Sequence, residues 1–257
     1  LNLDHAHAAE LYGKAFDAVK DWDRAQAFTY KIGEGDALYD VGYYGGTNEP
    51  LTASLAAYGT ALELAPRDTQ PADWSEVQDR LGQTQQTLGE RLADGSPLET
   101  SLSSYRAALD VRTQAAMPTE WANTQNNLGN ALYTIGKRKR DTALMNQAVT
   151  AMQAALQVFT PDTAPAKWAV TQSNLATVRI DIAALIYAAT DSAEMAAYAA
   201  GNKDATNIPE VVKARTEANA VLDEALSALE NAITVRGAGI DPLDLAQLQH
   251  ALASGYE

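Results

Sequence analysis

The 257-residue sequence contains no cysteine, three histidines, and only 19 lysines and arginines against 33 aspartates and glutamates. The missing cysteines exclude disulfides, thiolate zinc sites and cysteine nucleophiles together. The histidines are His5, His7 and His250, and no His-Glu-x-x-His, Gly-x-Ser-x-Gly or calcium-loop spacing surrounds them. Carboxylates are plentiful but scattered over helix faces, so no paired general acid and base can be chosen. The chain therefore reads as non-enzymatic, with no catalytic residue, metal site or cofactor expected. A formal charge of −14 and a pI near 4.6 repel phosphate backbones, which argues against nucleic acid as a partner. No stretch approaches 18 uninterrupted apolar residues, so no membrane insertion is expected. Strand-like alternation is absent as well. The chain starts at Leu1. It reads as either a protein whose leader was removed or a piece of a longer one, and the compartment stays open between cytoplasmic and extracytoplasmic.

What the sequence does have is a 47-residue repeat. Trp74, Trp121 and Trp168 are spaced by 47, with Pro71, Pro118 and Pro165 three residues ahead of each. Gln78, Gln125 and Gln172 follow at Trp+4, and Leu81, Leu128 and Leu175 at Trp+7. Gly82, Gly129 and Ala176 come next, with Leu88, Ile135 and Ile182 at Trp+14. A second stripe repeats at the same offset: Leu51, Leu55, Tyr58 and Leu62 align with Leu98, Leu102, Tyr105 and Leu109, then with Met145, Val149, Met152 and Leu156. Its 4, 3, 4 spacing is one face of an α-helix. A fourth copy, Leu222, Leu226, Leu229 and Ile233, arrives about 30 residues late, which places an insertion near 187–217. Asp110-Val111-Arg112 after the second copy of the stripe corresponds to Thr234-Val235-Arg236 after this one.

These patterns predict ten helices, at about 4–20, 24–44, 49–65, 72–93, 97–115, 119–137, 141–159, 166–190, 209–236 and 242–254. Prolines at 50, 71, 97, 118, 165 and 242 sit at first turns, where the missing N–H costs nothing. The expected organisation is one array with units at 24–70, 71–117, 118–164 and 165–241. Degenerate capping helices at 4–20 and 242–254 would face water on one side. The insertion is expected to lengthen the last two helices into a protruding hairpin.

The stretch Trp121-Ala122-Asn123-Thr124-Gln125-Asn126-Asn127-Leu128-Gly129-Asn130-Ala131-Leu132, with Ala148 to Leu156 in the following helix, resembles the tetratricopeptide family. Its Leu-Gly pair matches the family's packing positions. The usual period is 34, so the chain resembles an extended variant. HEAT and armadillo units reach this length and stay open, although the Leu-Gly column argues against them. The resemblance implies an all-α, right-handed α-solenoid of stacked helix–turn–helix repeats.

The resemblance also implies a concave groove lined by the first helix of each unit. Transferred to this sequence, its positions are Asn123, Asn126, Asn130 and Tyr133, with Glu76, Asp79, Gln83 and Gln86 from one neighbour. Thr29, Ile32, Asp36 and Tyr39 come from the next, and Ser173 and Thr177 from the other side. Amides can pair with an extended peptide backbone, and tyrosine offers a flat apolar contact. The lysines of the family's carboxylate clamp are missing, and Asp36 and Asp79 would repel a carboxylate, so a neutral or basic protein or peptide is the expected partner.

The remaining features read as structural. The tryptophan column is expected between repeats, where truncation would cost roughly 3–5 kcal/mol. The glutamine column is expected to satisfy turn backbone groups. Gly42-Tyr43-Tyr44-Gly45-Gly46 lacks the Lys-Ser/Thr of a phosphate loop and reads as an inter-helix turn. Lys137-Arg138-Lys139-Arg140 reads as a solvated helix end, where cations suit the dipole. The function expected is a peptide-binding scaffold. The alternative is a regulatory or sensor module of a larger protein whose enzymatic domain lies elsewhere.

Overall fold

A computed structural model describes residues 2–93, 95–202 and 204–234. Among the described residues the chain is all-helical, without a strand. The helices are α1 (Asn2–Val19), α2 (Arg24–Gly45), α3 (Glu49–Leu64), α4 (Pro71–Arg91), α5 (Ser96–Leu109), α6 (Pro118–Lys139), α7 (Thr142–Ala155), α8 (Pro165–Ala199) and α9 (Pro209–Thr234). A short 3-10 turn at Ala205–Asn207 precedes α9. The expected capping helix at 242–254, with His250, lies outside the described residues.

The chain divides into two compact units, Leu1–Ala131 and Leu132–Glu257, with the boundary inside α6. In the first, α1 packs on α2, α2 on α3, α3 on α4 and α4 on α5. In the second, α7 packs on α8 and α8 on α9.

Helix starts follow local chemistry. Proline occupies the first turn of α3, α4, α5 and α8, while Asp23 and Asp141 accept backbone N–H bonds at the starts of α2 and α7. Helix ends are settled from further away. Arg91 donates to the carbonyls of Gly42 (3.0 Å), Tyr43 (3.1 Å) and Thr47 (3.1 Å), closing off α2. Arg24 does the same for Glu63 and Leu64 at the end of α3.

The repeat appears as one contact made twice in the first unit. A Cβ added to Gly35 would sit 2.4 Å from the Tyr58 ring, and one added to Gly82 would sit 2.6 Å from the Tyr105 ring. Hydrogen in place of a side chain lets these fully buried rings lie against the neighbouring helix. The core of the first unit grows around this contact, with Ile32, Tyr58, Ala61, Val77 and Leu81 in one cluster. Ile32, expected on the groove, is therefore a core residue: on α2 it shares a stripe with the apolar contact surface of α3.

Several expectations shift. Trp168 is buried, but Trp74 and Trp121 are only half-buried. Trp74 sits in the first turn of α4 and is covered by Arg67, whose guanidinium lies 4.9 Å from the ring. The glutamine column is half-buried too. Gly42 to Gly45 belongs to α2, and the turn comes only at Gly46, in the left-handed region at φ 71°. Tyr43 and Tyr44 are exposed and pack on each other edge-on, with His5 of α1 stacked on Tyr44.

In the second unit α8 runs unbroken to Ala199. Arg215 of α9 bridges to Asp191 (2.5 Å), Glu194 (2.8 Å) and the Thr190 hydroxyl (3.2 Å), Tyr187 bonds Asn219, and Arg179 pairs with Glu224 (3.1 Å). The inserted residues are thus a helical hairpin zipped by cations. Its far part exposes Met195, Tyr198 and Val212.

Candidate functional site

The residues chosen for a groove fall into two sets, one per unit. In the first unit, one face of α4, the segment after α5 and the start of α6 enclose a polar hollow of about 400 Å³. Glu76, Asp79, Gln83 and Asn123 line it, together with Arg80, Arg112 and Glu120. Two ion-pair networks hold its walls.

The first network is built on Asp36. Its carboxylate accepts from the Tyr58 hydroxyl (2.6 Å) and from Arg80 (2.6 Å), while Arg80 also reaches Glu76 at 2.8 Å. Burial pushes the Asp36 carboxyl above its ordinary range, with Arg80 and the Tyr58 hydroxyl opposing. Desolvation, followed by the neighbouring Asp36 charge, drives the Tyr58 phenol upward, so it stays a donor.

The second network is built on Arg112, which is 6% exposed. It pairs with Asp79 at 3.4 Å and donates to Thr124 (2.9 Å) and Ser75 (3.3 Å); Thr124 in turn donates to Asp79 at 2.8 Å. Burial again raises the carboxyl, here Asp79, against the pull of Arg112 and Thr124. One guanidinium ties together α4, the turn after α5, and α6.

Sequence reasoning missed both arginines, and they revise its electrostatics. Asp36 and Asp79 are not unanswered charges awaiting a ligand, since each already has a guanidinium. The hollow is still net acidic, because Asp73, Glu76 and Glu120 join Asp79 against Arg80 and Arg112. A signal for Arg112 was present in the Asp110-Val111-Arg112 segment. The neighbouring members of its column, Ala65 and Phe159, are buried and apolar, so a cation there demands a buried partner.

The other predicted residues spread along the same helices. Tyr39 hydrogen-bonds Thr87 at 3.2 Å, and Gln86 accepts from Tyr105 at 3.0 Å while donating to Glu90 at 2.9 Å. Thr29 is exposed and bonds back to the Ala25 carbonyl of its own helix. Asn126 is half-buried, and its side-chain carbonyl is buried with no protein hydrogen-bond partner. Asn130 is half-buried as well.

In the second unit, Tyr133 donates to Asp181 at 2.6 Å and accepts from Lys137 at 3.0 Å, and Lys137 also pairs with Asp181 at 2.8 Å. The bonds to Asp181 and then Tyr133 hold the Lys137 ammonium above its ordinary range. Thr177 bonds the Ser173 carbonyl of its own helix at 2.9 Å, so this pair is not drawn into the Tyr133 network. An open depression of about 630 Å³ between α7, α8 and α9 is lined by Gln172, Leu175, Arg179 and Glu224, among others.

Among the described residues, no group of three or more His, Cys, Asp or Glu is placed to hold a metal ion. None of the described helices is long and apolar enough to cross a membrane.

The class these observations define is an all-α protein of helical-repeat-like architecture. No family model matches the chain, and no curated protein matches it. Among solved structures it is similar to BtubC (BKLC) from P. vanneervenii, with a TM-score of 0.60 over 98% of this chain and 83% of that one. Sequence identity is 16%, so the likeness speaks for the fold alone.

Proposed function

We propose that the chain is a non-catalytic scaffold, a right-handed tetratricopeptide-like solenoid whose groove takes an extended peptide that is neutral or basic. The observation that carries this reading is the hollow of the first unit. It is concave, polar and net acidic, and both of its guanidinium groups are engaged by carboxylates of the protein itself. What remains for a partner are carboxylates such as Glu120, which suit the lysine or arginine side chain of a peptide. The glycine-to-aromatic contact at a 47-residue offset supports the repeat reading.

The test is a displayed peptide library selected against the whole chain, followed by fluorescence anisotropy of labelled winners. Selected peptides should carry Lys or Arg and weaken as salt rises. The variant Glu120→Gln should weaken them severalfold while leaving the unfolding midpoint in place. Equal binding to that variant would remove the hollow from consideration.

A further inference from the structure

The second unit has its own hollow. The last turn of α6, the turn at Arg140, the first turn of α7 and one face of α8 enclose about 340 Å³, lined by Lys137, Arg140, Met145, Asp181, Ala184 and Leu185. Half of that lining is apolar. The charged half carries two cations and one anion, a net charge of +1.

The two cations differ. Lys137 is held by Asp181 and Tyr133. Arg140 is exposed, and its guanidinium has no partner among the described residues. Its backbone is also unusual: at φ 53° it is the single described non-glycine residue with positive φ. The same register two repeats earlier is Gly46, at φ 71° with open space where a Cβ would go. A helix end that favours glycine has been given an arginine instead. Strain retained beside a concave site, on a side chain that the fold itself does not use, marks a residue kept for what it contacts.

We propose that this hollow binds a carboxylate carried on a short aliphatic chain. The Arg140 fork receives the carboxylate, Lys137 adds a second cation, and Met145, Ala184 and Leu185 receive the chain. A planar guanidinium matches a carboxylate through two parallel bonds. A net lining charge of +1, with Asp181 in the wall, matches a monoanion and disfavours a phosphate dianion. The volume is at the small end of ligand sites, enough for one residue-sized group. This chemistry is shared by a free aliphatic acid and by the C-terminal residue of a polypeptide.

Calorimetric titration of the full chain with 4-methylpentanoate and with N-acetyl-glycyl-leucine tests the proposal, with the corresponding amides as neutral controls. At least one acid should bind, with a dissociation constant on the order of millimolar for such small ligands, and its amide at least tenfold more weakly. Binding of the dipeptide identifies a polypeptide C-terminus, whereas binding of 4-methylpentanoate alone identifies a free acid. Arg140→Gly should weaken the acid at least tenfold without lowering the unfolding midpoint, and Arg140→Lys should fall between. Absence of acid binding, equal binding of the amide, or an unchanged constant in Arg140→Gly would overturn the proposal. None of these outcomes bears on the cationic-peptide assay of the first unit.

Discussion

Replacing Arg112 by methionine tests whether the first unit is built around a buried charge pair. Methionine keeps most of the apolar stem and removes the guanidinium, so the loss falls on the network rather than on packing. Asp79, whose side chain is 17% exposed, then keeps only the Thr124 hydroxyl as a close donor, and the bonds to Ser75 and Thr124 vanish. Breaking a buried pair from one side leaves an uncompensated charge and costs about 3–5 kcal/mol. Asp79→Asn should cost less, roughly 2–3 kcal/mol, because it strands a guanidinium that can still bond Ser75 and Thr124. The double change Arg112→Met/Asp79→Asn removes both charges together and should cost less than the sum of the singles by about 2–3 kcal/mol. Urea unfolding followed by circular dichroism at 222 nm gives the free energies by linear extrapolation. The charge argument makes a further demand: the deficit of Arg112→Met should shrink as pH falls, because protonation discharges the stranded Asp79. A loss under about 1 kcal/mol, strict additivity, or a deficit indifferent to pH would each refute the reasoning.

Two further outcomes follow from the same structure. Gly82→Ala would drive a Cβ to 2.6 Å from the buried Tyr105 ring and should destabilise by about 1–3 kcal/mol, whereas Gly59→Ala, with nothing within 4 Å on helix α3, should stabilise by about 0.5–1 kcal/mol; thermal melts of both variants check the opposite signs. Burial raises the Asp36 and Asp79 carboxyls in the folded state, so between the unfolded carboxyl range and those raised values the folded chain holds protons that the unfolded chain has released; their contribution to stability therefore falls as pH rises through that window, and urea midpoints at pH 5 and pH 7 should differ less in Asp36→Asn/Asp79→Asn than in the parent, an unchanged difference ruling this out.

Helix starts were legible in the sequence because proline marks them stereochemically at the residue itself. Helix ends were less so. The fifth helix ends at Leu109, with the last residue of its stripe and short of the expected 115, the seventh at Ala155 instead of 159, and α8 passes 190 to reach Ala199. Where a helix ends depends on what receives its last carbonyls, and for α3 that is Arg24, 40 residues earlier in the chain. The packing columns were legible for the opposite reason. Gly35 with Tyr58 and Gly82 with Tyr105 repeat at the same offset, and a steric requirement imposed on successive units leaves a periodic trace.

The same logic explains why the sites were harder to read. Periodicity reveals what every repeat must do alike, and it is silent about what one repeat does alone. Arg80 occupies a column with Gly33 and Asn127, Arg112 one with Ala65 and Phe159, and Arg140 one with Gly46. Each is a cation in a register where its 47-residue neighbours are small, amide or apolar, although Arg112 has a sequence counterpart in Arg236 of the fourth copy. Two of them pair with half-buried aspartates beside one hollow, and the third strains its own backbone to reach another. Chemistry in this chain therefore sits where the repeat is broken. Asn126 and Asn130, whose counterparts Asp79, Ser173, Gln83 and Thr177 are polar and uncharged or acidic, are weaker choices for a specificity determinant than the three arginines, which bring a cation into columns of uncharged neighbours.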